Sequence, residues 1–345
     1  MNIDNILSNE HWMFLKDNKD VAYFSLTIGL EEYFSTYHAI YLQLDSYDKN
    51  SRDYINEHTN ESASFIKCYL NIAIHIQHFF ELETKRILEN EHMLYAVDDK
   101  GDPLLLHKLL SGQALETEDT KKLKSVEFSE AITRLKKLVD NDIIQDEVAK
   151  IFVQNLKLLR VLNQLRNTII HRGKRIMLYC DVDDFFSTQL LPLIKDVLGC
   201  EMYKSILNTY KNNGYYDAIC SIIAEGGNST CDYSKIAYAK EMARCKKMIH
   251  RGIVEKGKED KEYVNKIISK RLKPYVGENY LEGVKCPCCD NYSMFEGREM
   301  VGYDIDELGD ETSSVGGFSI IHVPQYAIYR QCGLCGFAFT DFIEI

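Results

Sequence analysis

Over most of residues 1–275 the hydrophobic positions recur at steps of three and four, the spacing of one face of an α-helix. The clearest stretch runs from Phe65 to Leu88, where the polar residues Asn71, His75, His78 and Lys85 form a separate stripe. This pattern predicts a long amphipathic helix whose apolar side packs against a core.

Three further stretches show the same spacing. They are Val126–Val139, Phe152–Ile170 and Val182–Leu198, and Gly173 supplies a helix stop after the second of them. Most of the connections between the four predicted helices are short, which favours an antiparallel bundle. The long connection near residues 95–125 is the exception.

The pattern changes after Gly277, where aromatic and β-branched residues alternate with polar ones and glycine becomes frequent. Such alternation predicts strands, so we expect a mainly α protein with a small C-terminal β module. We divide the chain into an N-terminal helical extension (1–60), a helical bundle (61–200), a helical connector (201–280) and the β module (281–345).

The composition is that of a globular protein, with 45% hydrophobic and 27% charged residues in 345. No run approaches the roughly 18–20 apolar residues that cross a bilayer, and the N-terminus does not resemble a secretory signal. We therefore expect a cytoplasmic protein with no membrane partner. The net charge of −11 argues against nucleic acid as a partner, unless positive charge is concentrated locally.

Two C-x-x-C pairs stand in the β module, Cys286/Cys289 and Cys332/Cys335. Each pair can turn two thiolates toward one point, and two pairs complete a tetrahedral Cys₄ zinc site. The pattern resembles a zinc ribbon and predicts a structural Zn²⁺, with a catalytic metal or a redox-active pair as alternatives. Cys288 leaves the choice of ligands open. We expect the acidic insertion at 296–311 to loop out.

A second group of chemically capable residues ends the predicted helix Phe152–Ile170. Asn167 and His171 are four residues apart and share a helical face, and Arg166 is long enough to reach alongside. A histidine can move protons, an arginine can hold a phosphate, and an asparagine can orient either partner. The alternative is a chance match in which these side chains are merely solvated at a helix end.

From about Ser64 to Gly199 the chain resembles the HEPN family, named for its occurrence in higher eukaryotes and prokaryotes and for nucleotide binding. The resemblance rests on the R-N-x-x-x-H sequence Arg166–His171, on Glu81 and Lys85, and on the helix pattern between them. It implies a HEPN-like antiparallel helical bundle that forms a homodimer, with two such motifs in one cleft, and in many members a metal-independent endoribonuclease.

The resemblance implies that Arg166, Asn167 and His171 are catalytic, with RNA as substrate, and that Glu81 and Lys85 support them. The plain alternative for Glu81 and Lys85 is an i,i+4 ion pair. Inactive members of the family use the bundle for binding, so a non-catalytic adaptor stays open as a second function. A bundle that accompanies a nucleotidyltransferase is a third.

The charge is divided unevenly along the chain. Residues 156–175 carry six basic residues and no acidic one, residues 235–273 carry thirteen basic and five acidic ones, and residues 277–345 carry three basic and twelve acidic ones. The first stretch fits RNA, and the last favours a protein partner or regulator for the zinc module.

Arg244 and His250 resemble the arginine and histidine of the first motif and could form a second, degenerate copy.

Overall fold

The computed structural model describes residues 18–44, 51–59, 61–98, 102–114, 116, 119, 123–173, 175–248, 257, 260–271, 278–309 and 318–343. Over these residues the chain is mainly helical, with a small antiparallel sheet near the C-terminus. The predicted fold class is thus confirmed at this level. Within the same residues, no helix has the length and apolar character needed to span a bilayer.

The described helices are, in chain order, α1 (Asn18–Ser35), α2 (Arg52–Thr59), α3 (Ala63–Glu91), α4 (Pro103–Leu110), α5 (Phe128–Asp140), α6 (Glu147–Gln154), α7 (Leu156–Arg172), α8 (Tyr179–Phe185), α9 (Leu191–Gly199), α10 (Lys204–Asn212), α11 (Tyr215–Gly226), α12 (Tyr233–Met248) and α13 (Lys261–Arg271). The described strands are β1 (Val97–Asp98), β2 (Lys124–Ser125), β3 (Asn279–Tyr280), β4 (Met294–Gly309), β5 (Phe318–Cys332) and β6 (Ala338–Phe339).

The chain forms two compact units. The first contains Met1–Leu30 and Leu70–Arg175, and the second contains Glu31–Tyr69 and Ile176–Ile345. Their boundaries fall inside α1 and α3, so each of these helices contributes residues to both units. The four segments expected from the sequence are a different division of the chain, and they stay a prediction.

In the first unit, α3, α5, α6 and α7 enclose an apolar core. The ring of Phe80 on α3 packs edge-on against that of Phe152 on α6, with centroids 5.4 Å apart. Polar side chains set where the helices begin: the Asp146 carboxylate accepts a hydrogen bond of 2.9 Å from the backbone of Ala149 and caps α6.

The helix predicted over Phe152–Ile170 is two helices. Asn155 leaves helical geometry with φ −108° and ψ 24°, and its side-chain amide donates to the Ile151 carbonyl at 2.9 Å. Asparagine competes for backbone partners in this way, which favours a break. The stop at Gly173 is confirmed: this residue has φ 57°, and its N–H bonds to the carbonyls of Thr168 and Ile169.

The second unit is built around α8–α12 and the C-terminal sheet. The helix predicted over Val182–Leu198 is found as α8 and α9, joined by a π-helical turn at Phe186–Leu190. Helices α10, α11 and α12 confirm the helical character expected after residue 201. Residues 227–232 separate α11 from α12.

The C-terminal sheet has the strand order β3-β4-β5-β6, and every neighbouring pair is antiparallel. Strands β4 and β5 pair from Met294 opposite Cys332 to Gly309 opposite Phe318, with a bulge between Met300 and Gly302. Residues 296–309 of the acidic insertion are therefore strand rather than an irregular loop. Along this length the backbone of the insertion pairs with β5 on one edge.

Candidate metal centre and candidate nucleic-acid site

The two C-x-x-C pairs lie on turns at the base of the β4–β5 hairpin. The Asp290 N–H donates to the Cys286 carbonyl at 2.9 Å, and the Gly336 N–H donates to the Cys332 carbonyl at 3.0 Å, so each pair closes a tight turn. Gly336 adopts φ 75°, a conformation that glycine takes without steric cost. Both turns direct their thiols into the same buried space.

The four thiols Cys286, Cys289, Cys332 and Cys335 have the spacing that a metal ion requires. Their sulfurs all lie within 4.8 Å of one another, and two of the distances, Cys286–Cys335 and Cys289–Cys332, are 3.5 and 3.6 Å. Four thiolates at about 2.3 Å from a tetrahedral zinc would lie roughly 3.8 Å apart. The predicted four-cysteine group is thus assembled and close enough to bind a metal ion.

Groups around Cys332 favour its thiolate form. The Cys332 sulfur accepts hydrogen bonds from the backbone N–H groups of Leu334 and Cys335, both at 3.4 Å, and lies 2.9 Å from the Ser293 hydroxyl. Hydrogen bonds from Cys286 and the other cluster thiols lower the pKa of Cys332. Cys288 is half-buried and is not a member of the four-cysteine group.

Helix α12 holds the second cysteine turn in place. Arg244 donates to the Gly336 carbonyl at 2.7 Å, and the buried Glu241 carboxylate accepts from the Ala338 N–H at 2.9 Å. Arg244 and Glu241 also pair with each other. Burial opposes ionisation of Glu241, but hydrogen bonding to Arg244 and the nearby His38 lower its pKa to about 2. Arg244 is therefore occupied in the packing of the metal-site turn, and His250 lies outside the described residues.

Helix α7 has two distinct faces. Leu159 and Leu162 are buried, and Arg166 follows them at the next helical step, half-buried on the same side. Asn167 lies beside Arg166 and accepts a hydrogen bond of 3.0 Å from its guanidinium. His171 is exposed near the end of the helix, and its side chain makes no hydrogen bond or ion pair with a described residue. The structure thus brings Arg166 and Asn167 together and leaves His171 open to solvent.

Glu81 and Lys85 lie on the polar stripe of α3. The Lys85 ammonium donates to Glu81 at 2.6 Å, and Gln77 donates to the other carboxylate oxygen at 2.9 Å. Burial opposes ionisation of Glu81, but these two hydrogen bonds and the charges of Lys85 and Arg166 lower its pKa. The expected ion pair is confirmed, and Arg166 is within electrostatic range of it.

His78 on the same stripe adds a group that sequence reasoning did not place in the site. Its Nδ1 lies 2.9 Å from the Ser25 hydroxyl on α1. Burial lowers the pKa of His78, and the Arg166 charge acts in the same direction. The periodic polar positions of α3 were the available signal, whereas nothing local in the sequence pointed to Ser25 or Gln77.

Family models, curated proteins and solved structures give no match to this chain.

The two basic stretches noted in the sequence differ in structure. On α7, the exposed cations Lys157, Arg160, Arg172 and the following Arg175 form no ion pair with a described residue. On α12 three cations have partners: Lys240 is fully buried against Asp183 at 2.6 Å, while Lys235 lies 3.6 Å from Asp232 and Arg244 pairs with Glu241. The half-buried Lys246 forms no ion pair with a described residue.

The buried ion pair on α12 has additional partners. The Lys240 ammonium donates to the Thr36 hydroxyl at 2.8 Å and to the Tyr179 hydroxyl at 3.0 Å, and it lies 4.3 Å from the centroid of the Tyr179 ring. Burial lowers the pKa of Lys240 and raises that of Asp183. This arrangement neutralises the charge within the fold and leaves none of it for a ligand.

Proposed function

We propose that the chain is an endoribonuclease of the HEPN type, acting as a toxin or an anti-phage defence effector, with its site at the end of α7. The observation that carries this proposal is the exposed His171 placed about one turn from the hydrogen-bonded pair Arg166 and Asn167. The site lies on a helix whose exposed cations have no ion-pair partners among the described residues, which suits a polyanionic substrate.

The residues supply what phosphodiester cleavage needs. His171 takes the proton of a ribose 2′-hydroxyl as its oxygen attacks the adjacent phosphorus. The bond from phosphorus to the 5′-oxygen breaks, that oxygen takes a proton from water as it leaves, and His171 gives its proton back to water, which yields a 2′,3′-cyclic phosphate and a 5′-hydroxyl. Arg166 lies on the other side of α7 from His171, but it is long enough to swing alongside Asn167 and to stabilise the charge on the phosphoryl oxygens from there. Asn167, which shares the His171 face, orients the RNA.

Glu81 and Lys85 act through Arg166 in this proposal. The Glu81 carboxylate attracts the half-buried guanidinium of Arg166 and helps to position it, and the hydrogen bond from Lys85 lowers the pKa of that carboxylate. The exposure of His171 also leaves it accessible to a second copy of the chain, as the homodimer implied by the HEPN resemblance requires.

We further propose that Cys286, Cys289, Cys332 and Cys335 hold a structural Zn²⁺. Four thiolates fill the tetrahedral coordination that zinc prefers and leave no position for substrate. The ion would hold the two cysteine turns of the β module together.

The test is cleavage of a mixed RNA substrate in EDTA by the wild type, by His171→Ala and by Arg166→Ala. We expect each variant to cleave at least about 100-fold more slowly, since removal of a general base or of a charge stabiliser has effects of that order. The matched control is His107→Ala, another helix-end histidine of the same unit. Equal cleavage by the wild type and His171→Ala would refute the proposal.

A second candidate function is a non-catalytic adaptor, and an apolar group on the β module favours it. Met300 and Tyr326 are 49% and 57% exposed and face each other across β4 and β5. Ile328 on the same strand face is also exposed. Such a group suits a protein contact. Full biological activity in the double variant Arg166→Ala, His171→Ala, with loss in Tyr326→Ser, Ile328→Ser, would favour the adaptor.

A further inference from the structure

The outward face of α7 carries a straight stripe of polar and basic residues. They recur at steps of three and four and so lie along one side of the helix: Lys157, Arg160, Gln164, Thr168 and His171. All are exposed except Thr168, which is half-buried. The stripe lies opposite the buried face formed by Leu159 and Leu162.

The two cations of the stripe lie at the opposite end of α7 from His171. At 1.5 Å per residue, Lys157 lies about 21 Å and Arg160 about 16 Å along the axis from His171. The positive end of the stripe is therefore several nucleotides away from the proposed reacting phosphate.

The charge of the stripe is available to a ligand. Neither Lys157 nor Arg160 makes an ion pair with any acidic residue in the described part of the chain, and residues 156–175 contain no acidic residue. Gln164 and Thr168, which lie between Arg160 and His171, are uncharged, so no negative charge on the stripe repels a phosphate. There is also no aromatic residue on α7 for a base to stack on.

We propose that this stripe is the track along which single-stranded RNA approaches His171. Lys157 and Arg160 bind backbone phosphates distant from the cleaved bond, and Gln164 and Thr168 donate to those between. Because these groups contact phosphate rather than base edges, the track binds RNA with little sequence preference. This inference rests on the proposed ribonuclease function and assigns the path of its substrate.

The test compares the double variant Lys157→Gln, Arg160→Gln with the wild type and with a control of equal charge change. The control is Lys124→Gln, Lys137→Gln, which removes two exposed lysines elsewhere in the same unit. Binding of a fluorescein-labelled RNA 12-mer without secondary structure is measured by anisotropy at 50–200 mM KCl, with His171→Ala as the background so that the RNA stays intact.

Each lost contact with a single strand lowers the slope of log K against log salt by about 0.7. The track variant is expected to lose about 1.4 from that slope, whereas the control keeps the wild-type slope. In the cleaving protein the track variant raises KM and leaves kcat unchanged, because the contacts are the same in the ground state and the transition state.

Several outcomes would overturn the inference: a slope unchanged in the track variant, an equal loss in the control, no binding of the 12-mer at all, or a change of oligomeric state in the track variant on sedimentation. The last result would mean that the stripe is covered by a second copy of the chain.

If His171→Ala abolishes cleavage while the track variant binds as the control does, the ribonuclease proposal stands and the track falls. If RNA binds through the track with the expected salt dependence but the wild type does not cleave it, the track stands and the ribonuclease proposal falls.

Discussion

Helices α7 and α12 both lie in strongly basic stretches of the sequence, yet the structure uses the two sets of charges differently. On α12, Lys240 and Arg244 are bound to Asp183 and Glu241 inside the fold. On α7, Lys157 and Arg160 are exposed without ion pairs to described residues. A local excess of positive charge indicates a nucleic-acid surface only when the fold does not already neutralise it.

The difference follows from the other residues of each helix. Ala237, Ala243 and Cys245 are buried along with Lys240, so this side of α12 is surrounded by protein and the Lys240 charge needs an internal partner. Helix α7 buries Leu159 and Leu162 on one side only. Positive side chains therefore contribute to stability in α12, whereas in α7 they are free to bind a ligand.

The largest expected loss of stability comes from removing Lys240, the buried cation of α12. Lys240→Ala leaves Asp183 buried without its partner, which should lower the free energy of unfolding by about 3–5 kcal/mol. Urea unfolding followed by circular dichroism measures this. In the double variant Lys240→Met, Asp183→Leu the loss should be much smaller. If the free energy of unfolding of Lys240→Ala differs from that of the wild type by less than about 1 kcal/mol, the ion pair is not needed for stability.

The next largest effect is that Glu241 makes the free energy of unfolding depend on pH. Its folded pKa of about 2 lies below the ordinary value of 4.5, so its contribution to stability is present above pH 4.5 and is lost as the pH falls toward 2. That contribution is about 3 kcal/mol. The difference in unfolding free energy between wild type and Glu241→Gln should shrink over this pH range. A difference that is constant from about pH 5 to about pH 2.5 would contradict the assignment.

Arg244 links α12 to the four-cysteine group, and its removal should have a smaller effect. Arg244→Ala frees the Gly336 carbonyl beside Cys335, and we expect zinc affinity to fall about tenfold, as is usual for groups that orient metal ligands. Competition with a chromophoric zinc chelator measures the affinity. Cys288→Ser, outside the four-cysteine group, serves as control and should retain one zinc per chain.

The smallest effect on stability is expected on α7. Lys157→Gln and Arg160→Gln remove exposed charges without partners among the described residues, so each should change the unfolding free energy by less than about 0.5 kcal/mol. The measurement is the same urea titration. A loss above about 1 kcal/mol would place these cations among the structural charges and would remove the contrast between the two helices.

The parts of the fold that depend on local pattern could be predicted from the sequence. The amphipathic stripe from Phe65 to Leu88 lies within α3, and the spacing of the four cysteines corresponds to a real cluster. The break at Asn155 could not be predicted, because the apolar spacing continues through it and the competing hydrogen bond to Ile151 depends on local geometry.

The internal charge pairs could not be predicted either. Lys240 and Asp183 are 57 residues apart, and only the tertiary fold brings them together. The candidate site shows the same limit: the sequence motif placed Arg166 and His171 on one helix, but it did not indicate that Arg166 faces the α3 side while His171 faces solvent. The sequence states the chemistry of each side chain, but whether that side chain is buried depends on the tertiary fold.

The chemistry of RNA ends tests the central claim most directly. A 5′-labelled RNA and its 3′-labelled counterpart are incubated in EDTA with the wild type and with His171→Ala, and the new ends are identified by mass spectrometry. We predict that the wild type produces 2′,3′-cyclic phosphate and 5′-hydroxyl ends and that His171→Ala produces neither. Ends of any other kind, or the same ends at the same rate from His171→Ala, would contradict the assignment of catalysis to α7.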